Sequence, residues 1–270
     1  MKIRVRDGLA VNVQDAGGDG GTPLLLVHGF GGSSESWGSE ILDRLAGDRR
    51  VLAVDLPGHG ESDAPSEPGR FALAAIVDDL EAVLAALDVD SAIWMGYSMG
   101  GRIALGAGLL SPRRVSGLIL ESACPGLEDA QARAERRASD AHLAERIASE
   151  GIAAYLEAWE KVPVLASQRR LPPAAQRALR NQRAKNDPAA LAACLRGLGQ
   201  GTQPSLWDAL GHISAPVLLL VGELDEKYVR INERMLAGMP AGRLVVAPGA
   251  GHNVHLENPE AWLAAVESFL

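Results

Sequence analysis

Gly96-Tyr97-Ser98-Met99-Gly100 is the run whose residue types and spacing most directly suggest chemistry in this 270-residue chain. It lies between an apolar strand-like segment (Ala92, Ile93, Trp94, Met95) and a helix-like one from Arg102 to Leu110. A serine at a sharp strand-to-helix turn holds its hydroxyl exposed, and flanking glycines let the backbone turn that tightly. A hydroxyl is inert at neutral pH without a base, and the base needs an acid to orient it. Of the six histidines, His252 in Gly249-Ala250-Gly251-His252-Asn253 follows the last apolar run and precedes Pro259. That position predicts a loop at the C-terminal edge of a sheet. His255 is the nearby rival, but Leu256 and Glu257 beside it mark the next helix. His28 and His59 read as shaping or packing glycine-rich turns, and His142 and His212 have no catalytic context.

The acid should follow a strand and lie between serine and histidine. Asp225, in Val221-Gly222-Glu223-Leu224-Asp225, meets both conditions, with Glu223 as its neighbour and rival. A carboxylate there would hold the imidazole in the right tautomer and stabilise its cation. An oxyanion would need two convergent donors. The Met99 backbone N–H, at a helix N-terminus, is one. The Phe30 N–H, after His28-Gly29, is the second. Arg102 stands one helical turn beyond Ser98, where it could meet an anionic substrate or pair with an acid on an overlying helical cap.

The elements that must position these groups follow from hydrophobic patterning. Ile3, Val5, Leu9, Val11 and Val13 alternate as a small antiparallel hairpin does. The runs 24–27, 51–54, 92–95, 118–120, 217–221 and 244–246 are continuously apolar and predict parallel strands buried on both faces. Helical stretches separate them at 73–87, 102–110, 229–236 and 259–270. This alternation predicts an α/β fold with a mostly parallel, doubly wound sheet. Residues 125–205 break the pattern: they are rich in Ala, Arg, Glu and Leu, and Pro172-Pro173 and Asp187-Pro188 open helices. They read as a helical cap inserted into a core of residues 1–124 and 206–270. Ligands bind at the C-terminal ends of parallel strands, so the cap should roof Ser98.

Charge refines the expectation. The chain carries a net −8, which argues against nucleic acid or anionic membrane as partner. Residues 125–204 nevertheless hold 12 Lys/Arg, ten of them Arg, against 9 Asp/Glu, for a net +3 in an otherwise acidic protein. A locally basic insert in an acidic protein suggests that the insert meets an anion, with arginines solvating a helical surface as the alternative. No apolar run reaches the ~18 residues of a membrane span. The opening residues lack the pattern of a secretory leader, and the two cysteines, Cys124 and Cys194, show no metal-like spacing. A cytoplasmic, metal-free protein is expected, either a monomer or a small homo-oligomer.

The whole chain resembles the α/β-hydrolase superfamily. The motifs that carry the likeness are Leu24–Gly32 (LLLVHGFGG), Val54–Ser62 (VDLPGHGES), the serine turn and Gly249–His252 (GAGH). The order Ser98, Asp225, His252 is that of the superfamily. Finer features resemble the 2-succinyl-6-hydroxy-2,4-cyclohexadiene-1-carboxylate (SHCHC) synthases of menaquinone biosynthesis. These are Gly96–Arg102 (GYSMGGR), Glu121–Leu127 (ESACPGL), Trp159, Pro163–Ser167 (PVLAS), Arg183–Asn186 (RAKN), Leu195–Gly199 (LRGLG), Gln203–Trp207 (QPSLW) and Gly222–Lys227 (GELDEK).

The resemblance implies a lyase that releases pyruvate from 2-succinyl-5-enolpyruvyl-6-hydroxy-3-cyclohexene-1-carboxylate (SEPHCHC), with the serine as a base and no cofactor. It also implies Arg102, Arg136 and Arg183 as anion-binding residues, with Tyr97 and Trp159 shaping the pocket. Arg136 shares its segment with Arg133 and Arg137. Leu165 and Cys124 depart from the family pattern, in place of an aromatic and a hydroxyl residue. The competing readings are an ester or carbon–carbon bond hydrolase using the same triad, and a non-catalytic ligand receptor.

Overall fold

β-Branched and leucine side chains that alternate across a strand can bury both faces of a sheet when helices cover each side. In the computed structural model, which describes residues 1–270, β1 (Lys2–Arg4) and β2 (Ala10–Asp15) form an antiparallel pair. There follow β3 (Leu24–Val27), α1 (Ser39–Leu45), β4 (Val51–Val54), α2 (Leu73–Ala86), β5 (Ala92–Tyr97), α3 (Met99–Leu110) and β6 (Val115–Glu121). Four helices come next: α4 (Ala130–Glu150), α5 (Ile152–Glu160), α6 (Pro173–Ala184) and α7 (Pro188–Leu198). The chain then returns through β7 (Val217–Gly222), α8 (Glu226–Ala237), β8 (Gly242–Ala247), α9 (Val254–Glu257) and α10 (Pro259–Glu267). One eight-stranded sheet results, in the order β1-β2-β4-β3-β5-β6-β7-β8. β2 joins β4 antiparallel, and every pairing from β4 to β8 is parallel.

The strand period of two divides the core. Leu25, Val27, Leu52, Val54, Trp94 and Leu118 face one layer with α2 and α3, while Leu24, Leu26, Val51, Ala53, Ile93 and Met95 face the other with α1 and α10. Each Val, Leu, Ile or Met side chain among them, removed fully from water, contributes about 1.5–3 kcal/mol. The inserted helices have a small core of their own, built on Ala144, Ile147, Tyr155, Leu156, Leu191 and Leu195. Helix α7 is apolar on two sides: Leu191 and Leu195 turn to that core, while Ala190, Ala193, Cys194 and Leu198 join the main one. Asp187 and Asp129 start α7 and α4 by accepting the N–H groups of Ala190 (2.8 Å) and Ala132 (2.7 Å).

Two elements differ from the pattern read in the sequence. The run at 244–246 does form a strand, but β8 is the sheet edge and Val246 is 41% exposed rather than buried on both faces. Helix α1 was not foreseen: its seven residues are too short to show a period, and it follows a tight turn at Ser34–Trp37 closed by reciprocal Ser33 and Ser36 caps.

Candidate active site

The serine turn is strained in the way its glycines predict. Ser98 follows β5 with φ 54° and ψ −107°, a backbone state that costs a non-glycine residue of order 1–3 kcal/mol. A Cβ at Gly96 would lie 2.2 Å from the Gly100 carbonyl oxygen, and one at Gly100 would lie 2.0 Å from that of Val27. Only glycine fits at either position. The Ser98 N–H donates to the Glu121 carbonyl at 2.8 Å, which fixes the turn against β6.

Asp225 follows β7, and His252 lies in the loop between β8 and α9. Parallel strands end at the same sheet edge, so residues far apart in the chain converge there. His252 Nδ1 is 2.5 Å from Asp225 Oδ2, and His252 Nε2 is 3.0 Å from Ser98 Oγ. Both imidazole and carboxylate are buried, with Tyr228 and Tyr97 packed edge-on against the ring at 4.6 and 5.6 Å between centroids. The rivals lie elsewhere: His255 pairs with Glu121, and the exposed Glu223 accepts the Gly249 N–H.

The backbone N–H groups of Phe30 and Met99 make no hydrogen bond within the protein. The loop carrying Phe30 is held by His28, whose Nδ1–H donates to the Gly29 carbonyl at 2.7 Å while its Nε2 accepts the Leu56 N–H at 3.0 Å. Burial lowers the His28 pKa, so the ring stays neutral and keeps that donor–acceptor pattern. From the inserted helices, Asn186 donates to the Gly31 carbonyl at 2.9 Å.

A cleft of about 350 Å³ opens over Ser98 and His252. Phe30, Tyr97, Trp159 and Leu165 give it an apolar wall, and Arg136, Arg183 and Lys227 bring three cations. No Asp or Glu lines it. Arg136 Nε pairs with Asp140 at 2.8 Å and its Nη1 with Gln200 at 2.9 Å. Its neighbours turn away, Arg133 to the Leu127 and Glu128 carbonyls and Arg137 to that of Gly201. Arg183 is held only by the Gln168 side-chain oxygen at 3.1 Å. Burial holds the Tyr97 phenol well above its ordinary pKa, so it remains a protonated donor.

Arg102 is placed differently from its neighbours in sequence. It does not line this cleft: it is buried behind the wall, and Nη1 donates to the Leu198 carbonyl at 2.9 Å and to Gln203. No carboxylate pairs with it, and burial lowers its pKa. Gln200, Lys227 and Tyr228 line the cleft without having been foreseen as site residues. Lys227 and Tyr228 could have been found from their position in the helical turn after Asp225. Nothing local marks Gln200.

The alpha/beta hydrolase fold family matches residues 22–259. A putative SHCHC synthase of Bacillus subtilis (strain 168) is 39% identical over 270 residues, covering 100% of this chain and 98% of that protein. The chain belongs to the α/β-hydrolase family, among the SHCHC synthases. The SHCHC synthase of Salmonella typhimurium (strain LT2) is 36% identical over 252 residues, covering 93% of this chain and 95% of its own. The structure of MenH from S. aureus aligns with a TM-score of 0.91 at 32% identity, over 96% of this chain and 97% of that one. A thermophilic esterase from Thermogutta terrifontis, solved with malate bound, aligns at a TM-score of 0.84 and 30% identity, over 100% and 97%. This α/β-hydrolase scaffold thus has similar neighbours that carry an esterase name, and the reaction is decided by what surrounds the serine.

Proposed function

We propose that this enzyme is an SHCHC synthase that eliminates pyruvate from SEPHCHC, using Ser98, His252 and Asp225 as a proton-transfer triad. The observation that carries the reading is the cleft over Ser98, which offers three cations and an aromatic wall and no carboxylate. A neutral ester would gain nothing from such a lining, whereas guanidinium groups bind carboxylates through paired charge-assisted hydrogen bonds. Arg136 and Arg183 are the direct anion ligands in this proposal. Arg102 adds a buried positive charge behind the wall whose Nε and Nη2 make no hydrogen bond within the protein. Tyr97 and Trp159 shape the pocket.

In the proposed reaction His252 takes the Ser98 hydroxyl proton, and the serine oxygen removes a ring proton from the substrate. The electron pair moves onto an adjoining carbonyl oxygen, which the free N–H groups of Phe30 and Met99 would hold. Its return forms the C2=C3 ring double bond, the existing C3=C4 double bond shifts to C4=C5, and the enolpyruvyl C5–O bond breaks. The departing enolate takes up a proton and becomes pyruvate. No water is consumed. Losing one such oxyanion donor commonly costs ~3 kcal/mol of transition-state stabilisation.

We further infer that residues 125–205 act as a cap over a core formed by 1–124 and 206–270, since the cleft takes its walls from both. No helix is long and apolar enough to cross a membrane. A cytoplasmic location is proposed from the two buried, unbridged cysteines, which fit a reducing compartment. A monomer or small homo-oligomer acting on a small polycarboxylate is the proposed working form.

The test mixes purified protein with SEPHCHC in oxygen-18 water and follows pyruvate against absorbance of the new diene. Stoichiometric diene and pyruvate, with no label entering from turnover once solvent exchange of the ketone is subtracted, is the expected result. The alternative is hydrolysis of an ester or carbon–carbon bond by attack of Ser98 on a carbonyl. No diene, together with a solvent-derived oxygen in an acid product, would establish that reaction instead.

A further inference from the structure

We propose that Glu121 is a positioning residue that holds the Ser98 turn and the His252 loop in register with each other. The inference rests on the reading of Ser98 and His252 as the reacting pair. Glu121 is the last residue of β6, paired in register with Tyr97 of β5, and it is completely buried. Its backbone carbonyl accepts the Ser98 N–H at 2.8 Å. Its side chain reaches the other half of the pair. Oε1 accepts the His255 backbone N–H at 3.2 Å, and the His255 Nδ1–H lies 2.9 and 2.8 Å from Oε1 and Oε2. Oε2 also accepts the Trp262 indole N–H at 2.8 Å. All these side-chain contacts are with α9 and α10, the two helices that directly follow the His252 loop. One residue therefore anchors the serine through its main chain and, through its carboxylate, the helices into which the His252 loop runs.

The energetics make this arrangement hard to explain as packing alone. No lysine or arginine touches the Glu121 carboxylate, so it has no permanent cation to offset its burial. A buried carboxylate is costly unless its lone pairs are met, and an apolar residue could fill the space at less cost. What the carboxylate provides is acceptor capacity for three N–H groups at once, which an amide or hydroxyl lacks. The His255 ring in turn backs the catalytic one. Tyr97 packs edge-on to both imidazoles, 5.1 Å from His255 and 5.6 Å from His252, and Trp37 covers His255 at 4.5 Å. Two carboxylate–imidazole pairs thus lie side by side, their imidazoles three residues apart in sequence, with the Tyr97 ring between them. Only the outer pair, Asp225–His252, contacts Ser98.

The test uses the full-length enzyme with Glu121→Gln, His255→Leu and His255→Asn, each assayed for pyruvate release and normalised to folded protein. Glutamine keeps the volume and the main-chain carbonyl but turns an NH2 group toward donors. Misplacing a reacting pair by about 1 Å can cost on the order of 100-fold, so Glu121→Gln and His255→Leu should lower kcat by about 10–100-fold. KM should stay within about twofold, because the cleft's cations lie on other segments. His255→Asn retains an N–H near the Nδ1 position and should recover kcat to within about fivefold of the parent. Should Glu121→Gln fail to fold, the contrast between the two His255 variants decides. If the folded fraction of Glu121→Gln or His255→Leu turns over within twofold of the parent, whatever its loss of Tm, the residue merely stabilises the fold and the proposal is overturned. Ser98→Ala is run alongside: full activity there would instead remove the triad reading itself.

Discussion

The two oxygens of the Asp225 carboxylate serve two different elements: Oδ2 lies 2.5 Å from His252 Nδ1, while Oδ1 accepts the Tyr228 N–H that opens α8. The proposed catalytic acid is therefore also a helix cap. The helix N-terminus favours its negative charge, and the helix fixes the direction from which it meets the imidazole. Tyr228, placed by the same turn, packs edge-on to His252. Asp225 thus orients the imidazole and begins the helix whose first turn supplies Lys227 and Tyr228 to the cleft wall.

Asp225→Asn separates these roles. An amide oxygen can still cap α8, so thermal unfolding should change by no more than a few degrees. The amide nitrogen cannot accept from His252 and would stabilise the wrong tautomer. Turnover should fall by about 10⁴-fold, as expected when a triad carboxylate is replaced by its amide. Steady-state pyruvate release and a thermal melt on the same preparation check both halves.

Ser98→Gly should trade activity for stability. Glycine tolerates φ 54° and ψ −107° without the strain that serine bears, and this relief outweighs its greater entropy in the unfolded chain. A gain of about 1 kcal/mol in denaturant unfolding is expected, together with loss of pyruvate release by at least about 10³-fold. A destabilised variant would show that the turn is not strained.

Arg183→Ala should discriminate between substrates. The guanidinium makes one hydrogen bond within the protein, to Gln168, so its removal leaves no buried carboxylate unpaired. For SEPHCHC, kcat/KM should fall by about 100-fold, the loss of one charge-assisted carboxylate contact of ~3 kcal/mol. For a neutral nitrophenyl ester the change should stay within about threefold. Equal losses on both would contradict an anion-binding role.

Stability should fall on the acid side through His59. Its ring is buried, with Nδ1 3.0 Å from the Pro57 carbonyl, and burial, followed by the nearby His28, pushes its pKa down to about 3. In the unfolded chain the same ring takes up its proton near pH 6.5. Between those values the unfolded state binds more protons, so stability decreases as pH drops, by up to ~1.4 kcal/mol per pH unit. His28, whose pKa is also lowered, acts with the same sign. Urea unfolding at pH 7, 6 and 5 should show the decline, and His59→Asn should make it shallower.

The sequence by itself specified the sheet, the serine turn and the chain order of Ser98, Asp225 and His252, because these are written locally. Continuous apolar runs report strands covered on both faces, and paired glycines report a turn that admits no Cβ. Edge position is not local, so the exposure of Val246 in β8 was illegible, and a seven-residue helix such as α1 has too few turns to show a period.

Which cations face the ligand was decided by tertiary structure alone. Arg102, Arg133, Arg136, Arg137 and Arg183 are alike as letters, but only Arg136 and Arg183 of these reach the cleft, while Arg102 goes behind its wall to Leu198 and Gln203. Gln200 enters the site because the end of α7 returns against the sheet, and Glu121 meets His255 because β6 and β8, with β7 between them, end at one sheet edge. A side chain's direction depends on what packs around it, and those neighbours come from distant parts of the chain.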